Sequence, residues 1–390
     1  MTKTIVFCAD GTWDNAGAEL VSTNTSRNSL TNVSLLFEWL QGTNITSGPN
    51  EMERSTDSTT SPVQMAKYVH GVGDGAPMLE KDFDGMFGTG VATRIANGYN
   101  YISQHYEEGD RIVLVGFSRG AYTVRALAGL IASEGLLTPA LAAQDSGTVT
   151  KNDNAVKAWL RYRKKVDVTT VSGLVDRIDD MLSFHNFFES APLPDSAFVE
   201  VKEITAVAVW DTVGAMGMPL YSFNGKKYDL YNFASTRISE KIRCGLHAVA
   251  IDEPRKAFTP TLWDEPAENN NVLQRLFAGA HTDVGGGNAD HSLSDVPLQW
   301  MIEQLRNIGV LFNEGLPPGC APDPLGMGNL SPMEEHRIPF LYGPRTFPAG
   351  MALHEAVSQR LKGGPVQAGK SFPLAPYAPI NLPAASVLAT

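Results

Sequence analysis

Four apolar runs, at residues 5–9, 112–116, 204–210 and 273–280, constrain this chain most. Each ends in small or polar residues. Runs this continuously apolar are buried on both faces, as strands of a parallel sheet are. Helical patterns separate at least some of them, so the expected fold class is α/β, with a mainly parallel sheet flanked by helices. Open sheets of this kind carry their chemistry at the carboxyl ends of the strands. Those ends read Asp10-Gly11-Thr12, Gly116-Phe117-Ser118, Trp210-Asp211-Thr212 and His281-Thr282-Asp283. Reactive side chains recur where the fold places a site.

The sharpest motif is Gly116-Phe117-Ser118-Arg119-Gly120. It follows an apolar run and precedes a helical pattern of Ala121, Val124, Leu127, Ala128 and Ile131. This is the strand–turn–helix context of a G-x-S-x-G nucleophile elbow, the signature of an α/β-hydrolase sheet. The turn is tight, and glycines two before and two after the serine keep side chains out of it. Ser118 is the expected nucleophile. The backbone N–H of Arg119, at the start of the helix, is the first expected oxyanion donor. A second is expected from Gly11 or Thr12, with Asp10 bonding the elbow.

A serine hydroxyl needs a base, and the base needs an orienting carboxylate. In this fold the chain order is Ser, acid, His. The candidates after Ser118 are His185, His247, His281, His291, His336 and His354. His354 opens a helix-like segment late in the chain and is the first choice of base, with His281 second because it lies so near Asp283. Asp283 is the first choice of acid. Asp211, at the end of the preceding strand run, is the alternative. The carboxylate not used in this way is expected to cap a helix or bond a loop.

Other chemistries fit less well. His281, Asp283, Asp290 and His291 match no strong zinc spacing, and neither do Cys8, Cys244 and Cys320, which read as buried small hydrophobes. The stretch Gly71-Val72-Gly73-Asp74-Gly75 lacks the rest of a dinucleotide fingerprint. No metal and no organic cofactor is expected.

The 390 residues, 43% hydrophobic and 19% charged, suffice for a large core. A net charge of −11 disfavours nucleic acid as a partner. No apolar run reaches the ~20 residues of a membrane span. No signal peptide opens the chain, so synthesis in the cytoplasm is expected, with any export leaderless. A catalytic domain is expected over 1–362, with a helical insertion at 133–200 acting as lid or cap. An extended Pro- and Ala-rich tail is expected over 363–390. Phe117, Met216 and Met218 are the expected substrate contacts. The apolar groups at 181–188 and 213–223 form either an acyl pocket or ordinary packing.

Several dispersed segments together resemble a known family. They are Asp10-Gly11-Thr12-Trp13, Thr31-Asn32-Val33, His70-Gly71-Val72-Gly73, Gly-Phe-Ser-Arg-Gly-Ala at 116–121 and Trp210-Asp211-Thr212-Val213-Gly214. Ala250-Ile251-Asp252-Glu253 with Arg255, His281-Thr282-Asp283-Val284-Gly285-Gly286-Gly287 and the late His354 complete the set. The chain, over about residues 3–362, resembles the α/β-hydrolase catalytic domain of bacterial type VI secretion phospholipase effectors. The resemblance implies a Ser–Asp–His hydrolase of ester bonds, with phospholipids as the leading substrates and a membrane surface as a peripheral contact. It supports Ser118, Asp283 and His354. The family commonly has a serine two residues after the late histidine, where this chain has Ala356. If the chain is a toxin, an immunity protein is an expected partner. The alternatives are a short-chain esterase, a polyester or amide hydrolase, and an inactive binding protein on a hydrolase fold.

Overall fold

The computed structural model describes residues 2–11, 30–47, 51–56, 62–71, 83–145, 153–167, 193–213, 221–223, 226–228, 238–263, 272–330, 343–379, 381–382 and 387–388. The sheet strands are β1 (Thr4–Ala9), β2 (Thr43–Ser47), β3 (Glu51–Ser55), β4 (Gln64–Val69), β5 (Arg111–Phe117), β6 (Ala206–Trp210), β7 (Gly245–Ala250), β8 (Val272–Phe277), β9 (Ala352–Leu353) and β10 (Val387–Leu388). Their spatial order is β10-β9-β8-β7-β6-β5-β1-β4-β3-β2. All neighbours are parallel except β2–β3 and β3–β4. The fold is therefore α/β, with a mixed, mostly parallel sheet flanked by helices.

Alternation along each strand divides the core between two faces. Ile5, Phe7, Ile112, Leu114, Val207 and Val209 point to one side. There they meet α2 (Phe83–His105), α3 (Ser118–Glu134) and α4 (Asn154–Asp167). Val6, Cys8, Val113, Val115, Ala208 and Trp210 point to the other side. There they meet α1 (Asn32–Trp39) and α6 (Asp295–Asn307). Strands β1, β5 and β6 are covered on both faces, which explains their continuous apolar runs, while β7 admits the buried His247, bonded to the Thr212 N–H and to Gln274.

Where described, the 133–200 insertion holds α4 and shorter helical turns together with a two-stranded antiparallel pair, Leu136–Leu137 with Phe198–Val199. Its α4 packs against α2 and α3, and Trp159 and Tyr162 join the first core face. Residues 181–188 lie outside the described residues. The segment after Gly363 is tied to the body rather than free. Val387–Leu388 pairs with β9, Tyr377 donates its hydroxyl proton to Asp252 Oδ2 at 2.8 Å, and Asn381 Nδ2 donates to the Ile251 carbonyl at 2.7 Å. Among the described residues, no helix is long and apolar enough to cross a membrane. The three cysteines form no disulfide; Cys8 is buried, as expected, and Cys244 and Cys320 are partly buried.

Candidate active site

Strand register brings the site together. Phe117, the last residue of β5, pairs with Trp210, the last residue of β6. The residues that follow, Ser118 and Asp211, therefore leave the same edge of the sheet side by side. They are also the two non-glycine residues with positive φ among the described residues, 55° at Ser118 and 34° at Asp211. Such backbone costs of order 1–3 kcal/mol and persists only where the surroundings enforce it, which marks functional positions.

At Ser118 the glycines enforce the turn. A Cβ on Gly116 would lie 2.6 Å from the Gly120 carbonyl oxygen, and one on Gly120 would collide with the Ala9 carbonyl. The serine heads α3, with the N–H groups of that helix's first turn left without intrahelical acceptors.

At Asp211 the carboxylate is fully buried and joins four hydrogen bonds. The Ala250 N–H donates to Oδ1 at 3.0 Å, Arg345 Nη1 to Oδ1 at 2.7 Å and Arg345 Nη2 to Oδ2 at 2.8 Å. The fourth is His281 Nδ1, 2.6 Å from Oδ2. Burial alone would raise the pKa of this acid. The Arg345 charge and hydrogen bonds, with those of His281, outweigh it and hold the group well below the usual carboxylate range. An ionised carboxylate only accepts, so His281 Nδ1 carries the proton and donates it. Nε2 is then the basic nitrogen, and among the described residues no group bonds to it.

His281 follows β8 and opens α5 (His281–Gly285). Its ring packs on Phe117, centroids 4.6 Å apart, and meets Phe258 edge-on at 4.8 Å. The imidazole therefore sits beside the residue that precedes Ser118. Its backbone N–H donates to Glu253 Oε2 at 3.2 Å, and Glu253 is paired with Arg255. Ser118 and His281 are 5% and 4% exposed, so both side chains lie away from bulk water.

The structure does not bring Asp283 and His354 together; among the described residues no hydrogen bond joins them. Asp283 folds back over its own helical turn. Oδ2 accepts from the Ala280 N–H at 2.8 Å, and Oδ1 accepts from the Asn329 N–H at 3.0 Å and from Asn329 Nδ2 at 2.7 Å. Burial pushes its pKa up to about 6 against the pull of those bonds. This is a helix-capping and loop-binding carboxylate. His354 caps α7 (Glu355–Lys362), where Nδ1 accepts from the Ala356 N–H at 3.3 Å. Its ring stacks on Phe277 at 4.5 Å, and burial lowers its pKa to about 4.

Other expectations also shift. The Gly11 N–H donates to Asp10 Oδ1 at 2.7 Å, so it is not turned toward an oxyanion. Thr12, Met216 and Met218 lie outside the described residues. Asp10 bonds Thr31 Oγ1 at 2.6 Å and the Tyr68 hydroxyl, not the elbow. Phe117 is 2% exposed, wedged against His281 and Gly285, which removes it as an open substrate contact. The four metal-ligand candidates disperse. His281 bonds Asp211, Asp283 bonds Asn329, Asp290 bonds Ser292 and His291 bonds Asp295. His291, Asp295 and Cys320 do gather, with ligand atoms within 4.8 Å of one another. Asp295 there accepts from the Ala321 N–H at 2.8 Å, which ties the loop to α6.

Arg345 was invisible to motif reasoning. It lies 134 residues from Asp211 in no recognisable pattern. Glu253 and Arg255 belong to the segment Ala250-Ile251-Asp252-Glu253 with Arg255, whose sequence alone points to no role at the site.

Residues 3–304 match the family described as "T6SS, Phospholipase effector Tle1-like, catalytic domain". The uncharacterized protein YEL023C of Saccharomyces cerevisiae is 28% identical over 152 residues, 36% of this chain and 19% of that protein. An uncharacterized protein from Pseudomonas aeruginosa, known from its crystal structure, is similar with a TM-score of 0.45 and 17% identity. The alignment covers 80% of this chain and 46% of that one. The Tle1 effector bound to the VgrG spike of the type VI secretion system is similar with a TM-score of 0.38 and 18% identity, covering 74% of this chain and 52% of that one. The chain thus spans about half the length of these solved proteins and a fifth of the yeast protein. By the family match, this chain belongs to the Tle1-like type VI secretion phospholipase effector family and carries its catalytic domain.

Proposed function

We propose that this chain is a serine hydrolase of phospholipid ester bonds, with Ser118 as nucleophile, His281 as base and Asp211 as orienting acid. The observation that carries the reading is the 2.6 Å bond between His281 Nδ1 and Asp211 Oδ2, beside an elbow serine of positive φ. The phospholipid class rests on family membership; a short-chain esterase uses the same chemistry.

The reaction is a two-step acyl transfer. His281 Nε2 takes the Ser118 proton as Oγ attacks the ester carbonyl carbon. The negative charge moves to the carbonyl oxygen, at the N-terminal end of α3, where the Arg119 N–H is the first donor. Asp211 stabilises the imidazolium that forms without taking its proton. His281 then protonates the leaving alcohol oxygen as the C–O bond breaks. A water attacks the acyl-enzyme with His281 again as base, releasing the fatty acid and restoring Ser118.

The test is fatty-acid release from phosphatidylcholine vesicles by the wild type and Ser118→Ala, beside p-nitrophenyl acetate and laurate. Release by the wild type alone supports the reading. Turnover of acetate alone would discard the lipid class, and turnover independent of Ser118 would discard the mechanism.

A further inference from the structure

The family match ends at residue 304, yet the proposed acid is gripped from beyond it. Arg345 meets both oxygens of Asp211, and its Nη1 also donates to the Ala250 carbonyl at 2.7 Å. Its Nη2 donates in addition to the Phe258 carbonyl. Four bonds thus clamp the guanidinium between the end of β7 and the turn at Phe258. The Arg345 side chain is 2% exposed and the Asp211 side chain 0%.

This grip bears on the site's geometry. A carboxylate turns about its last torsion in a broad, roughly two-fold well. Two parallel N–H···O bonds from a planar fork fix that torsion. Oδ2, one of the two oxygens so held, is the atom that faces His281 Nδ1. The clamp also braces a residue whose backbone is strained. Among the described residues, Arg345 and His281 act on the Asp211 charge; His247 feels Asp211, Arg345 and Arg125, and the acids Asp252 and Glu253 feel Arg345 and His281 respectively.

We propose that Arg345 is a positioning residue of this site. Its two-bond grip sets the plane of the Asp211 carboxylate so that Oδ2 receives the His281 Nδ1 proton. The chain beyond the family-matched segment is thereby part of the catalytic apparatus. The proposal rests on the Ser118–His281–Asp211 reading.

The experiment measures the rate of Ser118 modification by a fluorophosphonate probe from pH 5 to 9. It uses the full chain as wild type, Arg345→Met and Arg345→Lys, with Ser118→Ala as the labelling control. Folded fraction and Tm are followed alongside, and rates are taken per folded molecule. Arg345→Met should slow labelling by about 10²-fold, the scale of a 1 Å misplacement. Its acid limb should move to higher pH, because Asp211 loses its cationic partner and takes up a proton more readily. Arg345→Lys keeps the charge without the fork, so its limb should stay near that of the wild type while the rate falls. It also reports on the proposal if Arg345→Met fails to fold.

Wild-type rates and an unmoved limb in Arg345→Met, with only Tm lowered, would make the pair structural and overturn the proposal. A wild-type rate in Arg345→Lys would do the same, since the fork would then be unnecessary. Absence of wild-type labelling at Ser118 would instead overturn the serine-hydrolase reading on which the proposal stands.

Discussion

The imidazole of His281 and the carboxylate of Asp211 lie 2.6 Å apart across the carboxyl ends of β8 and β6, though 70 residues separate them in the chain. Replacing Asp211 by Asn leaves the shape but turns an obligate acceptor into a group that also donates, and the wrong histidine tautomer follows. Asp211→Asn should lower kcat by about 10³–10⁴-fold. Asp283→Asn should keep most activity and lower Tm, since its oxygens cap α5 and hold Asn329. Steady-state hydrolysis and thermal melts of the two variants, run together, check both outcomes.

Stability against pH should carry the mark of the buried His247, the half-buried His354 and the buried Asp283. His247 and His354 have folded pKa values lowered by burial to about 3 and about 4, below the ordinary 6.5. Their contribution is fully present above 6.5 and is lost as pH falls through those values. Asp283 runs the other way: its pKa is raised to about 6, so its contribution is present below about 3.8 and lost as pH rises through 6. Between pH 4 and 6 the opposing slopes partly cancel. His354→Gln should remove a pH-dependent contribution on the order of 3 kcal/mol across pH 4–6.5, and Asp283→Asn should steepen the loss on acidification. Urea unfolding at half-unit pH steps checks the signs.

The elbow glycine that faces β1 admits no side chain. A Cβ at Gly120 meets the Ala9 and Asp10 carbonyls, which are backbone and cannot rotate away. Gly120→Ala should destabilise the fold by roughly 1–3 kcal/mol, in the manner of overpacking, and abolish probe labelling of Ser118. Denaturant midpoints and labelling of the folded fraction give the two readings.

The buried Asp10 depends on its donors. Burial raises its pKa, while bonds from Thr31, Tyr68 and the Gly11 N–H act against that rise. Tyr68→Phe removes one donor from a group that water does not reach and should cost about 1.5–3 kcal/mol of stability. Chemical denaturation of this variant beside the wild type tests the estimate.

Much of the fold was legible because parallel strands buried on both faces strongly favour apolar residues, and the runs ending at Ala9, Gly116 and Trp210 show it. The elbow was legible because its glycines answer a local collision. Partner choice at the site was not local. Asp211 stands beside Ser118 only through the register of β5 on β6, which no spacing along the chain displays. His281 looked poorly placed because Asp283 is two residues away. The first turn of α5 folds Asp283 back onto Ala280 while His281 reaches Asp211. His354 does follow a strand of the sheet, β9, but its ring is taken up by Phe277. Arg345 carried no pattern at all.

The most direct test of the central claim compares two histidines. Fluorophosphonate labelling of Ser118 is followed at pH 7.5 in His281→Ala and His354→Ala, each scaled to its folded fraction. Labelling should fall by about 10³-fold or more in His281→Ala and stay within a few-fold of the wild type in His354→Ala. The reverse pattern would make His354 the base and contradict the site as assembled here.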